Sequence, residues 1–356
     1  MVVSSRSTPI APPQPTDPWL AVNYALVFPG LGQLYSRHWV KGSTLIAIAL
    51  TLLTYATWSI FGANGNTVQG FGAIGFLIFL YGFSILDAYR GTQPGYAQRI
   101  AVPSGCKDPW YAVFLSQILP GLGHLYSQRV LIGGALLMSG IGAVWLSNLF
   151  PAIAPIPPTI WTFSCYHVYK TFPHRSRRQP VAIALLILGL FIMRLVLGNT
   201  PIWIHQSFEQ CIVPSESMLP TLQVGDRLFV HRDDAYLPES GDIVVFKPPP
   251  ASADFLPTHR VASLFVKRVI GRPGQRIEIS NGQVWVDGNP IPETYVETPP
   301  VYRWGPDIVP PNSYFVLGDN RNNSNDSHLW GYVPKANLLG KAYKIYWPPA
   351  RIQSLE

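Results

Sequence analysis

Two unlike halves are legible in this 356-residue sequence: a multi-span α-helical membrane region, and after it an all-β domain. Three observations predict the division. Residues 1–200 carry 12 Lys and Arg against three acids, Asp17, Asp87 and Asp108, a balance of +9, whereas residues 201–356 carry 14 against 16, a balance of −2. No formally charged residue occurs from Gly42 to Leu86, a run of 45, or from Val130 to Tyr169, a run of 40. After Pro201 the pattern changes to short stretches rich in Val, Ile, Tyr and Phe, punctuated by Gly, Pro, Asn and Asp. Only 13% of residues are charged, which excludes a disordered chain and a conventional cytosolic enzyme. A pI near 9.3 raises nucleic-acid binding, but the excess base belongs to the apolar half. No nucleic acid is expected, and the charge reads as an orientation signal.

Taken in order, residues 1–17 are rich in Pro and Ser without an apolar leader core and read as a disordered cytoplasmic arm. Each uncharged run is long enough for two spans of about 20 residues, with turns at Gly62–Gly70 and Pro151–Pro158. The first membrane module therefore covers 18–90, with spans about 43–62 and 70–88, and a cytoplasmic loop covers 91–108. The second module covers 109–170, with spans about 131–150 and 156–170, and an anchor helix covers 181–199. Pro18-Trp19 and Pro29-Gly-Leu-Gly-Gln-Leu-Tyr-Ser36 recur 91 positions later as Pro109-Trp110 and Pro120-Gly-Leu-Gly-His-Leu-Tyr-Ser127. The modules are thus an internal repeat, each a short apolar helix broken by Pro-Gly and then two spans. The PGLGxLY element resembles small two-pass modules of bacterial membrane proteins, a likeness that assigns no chemistry. With the Pro-Gly segments re-entrant, five spans keep Arg90, Arg99, Lys107 and the cluster Arg175, Arg177, Arg178 in the cytoplasm and put residues 201–356 on the extracytoplasmic side. Cys106, Cys165 and Cys211 are odd in number and scattered, so no disulfide framework, metal site or cofactor is expected.

Alternation in the second half predicts strands over 227–230, 242–246, 261–268, 276–279, 283–286, 314–317 and 341–346, with tight turns at Asn281-Gly282 and Asp287-Gly288. Four boxes then follow in order. They are Ile212-Val-Pro-Ser-Glu-Ser-Met-Leu-Pro-Thr-Leu222, Gly241-Asp-Ile-Val-Val-Phe246, Lys267-Arg-Val-Ile-Gly-Arg-Pro-Gly274, and Gly318-Asp-Asn-Arg-Asn-Asn-Ser-Asn-Asp-Ser327 with Trp330-Gly331. Together, directly after a membrane anchor, they resemble bacterial type I signal peptidases over residues 181 to about 350. The resemblance implies an all-β signal-peptidase-type catalytic domain over 201–356. It also implies a membrane-bound serine endopeptidase that cleaves signal peptides from exported preproteins with a Ser-Lys dyad, small residues being preferred before the cut.

By the same resemblance Ser217 is the nucleophile and Lys267 the general base, while Ser215 and the Ser217 N–H form the oxyanion hole. Ser324 matches the residue that hydrogen-bonds the lysine amine, and Asp326 a supporting carboxylate. The chemistry is coherent: a serine hydroxyl needs a base, and burial on an apolar strand lowers the pKa of a lysine so that it can serve. Arg268, next in the strand, is expected to face solvent. Substrate pockets are expected from Val213, Pro214, Met218, Leu222, Phe265 and Val266. His328 stands where the family often has an Arg beside the supporting acid, leaving a Ser217-His328-Asp326 triad as an alternative and His259 as another base. Expected partners are signal-peptide-bearing preproteins, membrane lipid and the translocation machinery. A self-cleaving Ser-Lys repressor and a non-catalytic membrane module are the competing functions. The membrane anchor opposes the first, and intact Ser217 and Lys267 oppose the second.

Overall fold

The computed structural model describes residues 16–97, 107–172, 179–232, 236–255 and 264–355. The N-terminal arm over 1–15, residues 98–106 of the 91–108 loop with Cys106, the cluster Arg175–Arg178 and His259 lie outside the described residues. Two compact units result. One comprises the chain up to Thr54 with Ala73–Pro201; the other comprises Tyr55–Gly72 with Ile202–Glu356.

The helices are α1 (Pro18–Val27), α2 (Leu31–Tyr35), α3 (Trp39–Phe61), α4 (Thr67–Ala97), α5 (Pro109–Ile118), α6 (Leu122–Tyr126), α7 (Val130–Leu149), α8 (Ile156–Lys170) and α9 (Gln179–Ser207). Among the described residues α3, Thr67–Thr92 within α4, α7 and Pro180–Ile204 within α9 are long and apolar enough to cross a bilayer. The segment 156–170, expected as a further span, forms α8 with only 15 residues.

The sequence repeat is also a repeat of geometry. Asp17 caps α1 by accepting from the Trp19 and Leu20 N–H groups, and Asp108 caps α5 by accepting from Trp110 and Tyr111. In each copy the backbone of the capping Asp donates to a tyrosine hydroxyl, Tyr35 or Tyr126. Gly30 and Gly121 join the paired helices at φ 96° and 92°. A Cβ there would lie 2.4 Å from the Gly42 carbonyl in one copy and 2.1 Å from that of Gly133 in the other, so glycine alone fits. The copies differ inside: Gln33 donates to the Ser84 carbonyl and to Asp87, whereas His124 meets His167 at 2.8 Å.

The second unit is β-rich. Its strands are β1 (Phe208–Ile212), β2 (Arg227–His231), β3 (Ile243–Phe246), β4 (Phe265–Gly271), β5 (Arg276–Ser280), β6 (Gln283–Val286), β7 (Asn289–Pro290), β8 (Trp304–Ile308), β9 (Ser313–Leu317), β10 (Val333–Pro334), β11 (Leu338–Trp347) and β12 (Gln353–Ser354), with a short helix α10 (Ser327–Trp330). The larger sheet runs β1-β2-β11-β3-β4-β9-β10, with β12 paired to β11, and the smaller runs β7-β6-β5-β8. Asn281-Gly282 and Asp287-Gly288, at positive φ throughout, make the tight turns of the β5-β6-β7 meander. β3 and β4 lie at the middle of the large sheet, paired antiparallel with Val244 opposite Lys267. Leu228, Val230, Ile243, Val245, Ala342 and Ile345 fill one core beneath it. Val244, Phe246, Val269, Val316 and Trp330 fill another.

Candidate active site

The nucleophile candidate sits in a loop between β1 and β2 whose neck is closed by backbone hydrogen bonds from Val213 to Asp226 and from Gly225 to Val213. Asp226, buried, accepts from the Gln223 N–H and from the Arg351 guanidinium at 2.8 Å, which fixes the far side of the loop. A 3-10 turn over Glu216–Met218 presents Ser217, while Met218 and Leu222 point down into the core. Lys267 enters from β4. Its Nζ lies 2.6 Å from Ser217 Oγ, and Ser215 Oγ lies 3.3 Å from the same atom.

Lys267 is 5% exposed. Burial is the largest influence on its ammonium and pushes the pKa down to about 8, against the smaller opposing pull of the Asp326 and Asp319 carboxylates. With a pKa near 8 about a tenth of the amine is neutral at pH 7, whereas an exposed lysine is almost wholly charged there.

The loop over Gly318–Asp326 closes the site from β9. Asn320 donates its N–H to the Ser217 carbonyl at 3.1 Å and its side chain to the Glu216 carbonyl. Gly318 makes this approach possible. A Cβ on it would stand 2.2 Å from Ser324 Oγ and 2.3 Å from the Ser217 carbonyl oxygen. Asp326 is fully buried and accepts from the Gly318 N–H and from His328 Nδ1 at 2.6 Å. His328 stacks on Tyr302 with ring centroids 4.0 Å apart. Among the described residues it makes no hydrogen bond to Ser217, so the structure assembles Asp326 with His328 but does not bring this pair to the serine. Ser324 lies in the site, yet its hydroxyl finds no hydrogen-bond partner among the described residues, and the expected bond to Lys267 is not made.

A cavity of about 430 Å³ opens beside the Ser217–Lys267 pair. Val213, Pro214, Met218, Phe265 and Val266 line it, with Ser324. Leu222 does not. It is fully buried in the core with Leu228 and Ile345, because the turn that exposes Ser217 sends the following residues inward.

Arg268 corrects the expectation of a solvent-facing neighbour: it is only 8% exposed. Strand alternation does turn it away from Lys267, but that second face of β4 is also covered. Its guanidinium donates twice to Asp319, at 2.8 and 2.7 Å, and once to the Gly241 carbonyl, and it lies over the Tyr295 ring. Thr221 donates to the same Asp319 at 2.6 Å. Arg321, also buried, pairs through two nitrogens with Glu293. Sequence reading missed both pairs, and only the charged residues inside the Gly318-Asp-Asn-Arg321 box hinted at them.

This arrangement, a serine and a buried lysine in contact on a β scaffold after apolar spans, is that of a membrane-bound serine hydrolase. The signal peptidase (peptidase S26) family profile matches residues 184–347. Signal peptidase I of Leptolyngbya laminosa is 49% identical over 149 residues, covering 41% of this chain and 72% of that protein. A probable signal peptidase I-1 of Synechocystis is 45% identical over 145 residues, 40% of this chain and 73% of that one. A probable thylakoidal processing peptidase of Arabidopsis thaliana is 39% identical over 145 residues, 40% of this chain and 39% of its own length. The chain belongs to the signal peptidase I family and is an integral, multi-pass serine hydrolase of that type.

Proposed function

We propose that Ser217 and Lys267 are the catalytic dyad with which this enzyme cuts signal peptides from exported preproteins on the extracytoplasmic side. The observation that carries the reading is the 2.6 Å contact of Lys267 Nζ with Ser217 Oγ at the edge of an apolar cavity. Neutral Lys267 takes the Ser217 proton as Oγ attacks the scissile carbonyl carbon. Ser215 Oγ and the Ser217 N–H stabilise the resulting oxyanion. The Lys267 ammonium then gives its proton to the leaving amine as the C–N bond breaks, leaving an acyl ester on Ser217. Water, deprotonated by Lys267, attacks the ester, and the proton returns to Ser217 as the acid product leaves.

Val213, Pro214, Met218, Phe265 and Val266 supply shallow apolar walls suited to small side chains before the cut, with Ser324 and Asp326 as supporting groups. The sidedness is supported by the basic loops of the N-terminal half, and the two-module reading of that half by its repeated caps and glycine turns. Fusion of those modules to the protease supports a role beside the translocation machinery; unimpaired processing in cells after deletion of residues 1–170 would remove it. Purified full-length enzyme is expected to cut a preprotein at one site, while Ser217→Ala and Lys267→Ala leave it intact. Cleavage that persists in Lys267→Ala would contradict the assignment of the base.

A further inference from the structure

The catalytic unit includes a piece of the N-terminal half. Tyr55–Gly72, the end of α3, the turn and the start of α4, groups with Ile202–Glu356, while the remainder of both helices belongs to the other unit. What holds this hairpin tip is a lysine far away in sequence. Lys344, on β11, is fully buried. Its Nζ donates to the carbonyls of Ser59 at 3.0 Å, Ile60 at 2.9 Å and Gly62 at 3.0 Å, and the neighbouring Tyr343 hydroxyl donates to Phe61 at 2.9 Å.

The last carbonyls of a helix lack partners within it and carry the negative end of its dipole. Four consecutive carbonyls at the end of α3 are therefore satisfied by two adjacent side chains of one strand. Adjacent strand residues ordinarily face opposite ways. A register shift between Ala342 and Lys344 in the β11–β2 pairing turns both to the same target. Phe61 completes the contact: its ring stacks on Phe208 at 4.9 Å and lies 5.6 Å from Phe229. No carboxylate pairs with Lys344 among the described residues, so the helix end is the compensation for its burial.

We propose that the α3–α4 tip is a second membrane tether of the catalytic domain, additional to α9, and that Lys344 is the positioning residue that locks it. With two attachments, the cleft is held where a membrane-inserted preprotein presents its cleavage site; a short soluble peptide has no such requirement.

The test uses full-length enzyme in liposomes. Acetylation of Lys344 by a water-soluble amine reagent, read by mass spectrometry, is expected to be slow in the unmodified enzyme. Phe61→Arg, which puts a like charge beside Lys344 and in the aromatic nest, is expected to speed it about tenfold or more. Rapid labelling of the unmodified enzyme, or unchanged protection in Phe61→Arg, would overturn the tether. In a second arm, Lys344→Met is expected to slow cleavage of a membrane-inserted preprotein about tenfold while leaving a soluble peptide with small residues before the cut unaffected. An equal loss on both substrates would overturn the positioning role. This arm rests on the proposed peptidase activity and the labelling arm does not. An unmodified enzyme that cuts neither substrate would defeat the activity reading while labelling still judges the tether.

Discussion

Arg268 grips Asp319 through two nitrogens, at 2.8 and 2.7 Å, and thereby ties the strand that carries Lys267 to the loop that carries Ser324 and Asp326. The pair is buried, so that strand and that loop are set relative to one another by an interaction that solvent does not screen.

Breaking that pair from one side leaves a buried carboxylate uncompensated, at a cost of about 3–5 kcal/mol. Arg268→Met is expected to lower the unfolding free energy of the solubilised enzyme by that order and to abolish processing. Arg268→Lys keeps the charge but loses the fork, so urea unfolding should place it between the two.

Gly318→Ala tests the close approach of the loop to Ser217. Its methyl would collide with Ser324 Oγ and the Ser217 carbonyl, displacing Ser217. A misplacement of about 1 Å costs about 100-fold in rate. A fall of kcat of that order, with the substrate KM little changed, is the expected result of steady-state cleavage assays.

Lys267 also sets a stability slope. Its pKa is lowered on folding to about 8, so between that value and 10.5 the unfolded chain holds a proton that the folded chain has lost. Stability therefore rises with pH through this window and carries the whole penalty below it. Lys267→Met should remove the slope and stabilise the enzyme below pH 8 by about 3 kcal/mol. Denaturant unfolding at pH 7 and pH 10 measures both.

Asp326 favours the charged form of Lys267. Asp326→Asn is accordingly expected to move the acid limb of the pH–activity profile to lower pH, although it also weakens the hold on His328 and the Gly318 N–H. A shift to higher pH would mean that Asp326 acts on the site in another way.

The sequence made the strands with clean alternation legible, and β2, β3, β5, β6 and β9 fall where it predicts them. It did not disclose β1, which follows α9 without a break, or β8, whose Gly305-Pro306 reads as a turn. Ser217, Lys267 and their pairing were readable only through the resemblance of their boxes, since a loop and a strand 50 residues apart carry no local signal that they meet. Arg268 was misread because alternation says which way a side chain points but not whether that face is wet. Lys344 looked like an ordinary strand lysine, for nothing local announces a helix end lying some 280 residues earlier in the chain.

The most direct measurement is kcat/KM on a preprotein from pH 5.5 to 10, for the unmodified enzyme and for His328→Gln. Lysine as base predicts an ascending limb near pH 8 that falls about tenfold per unit below it and survives the His328 substitution. An ascending limb that disappears in His328→Gln would contradict the Ser217–Lys267 dyad and assign the proton transfer to the imidazole.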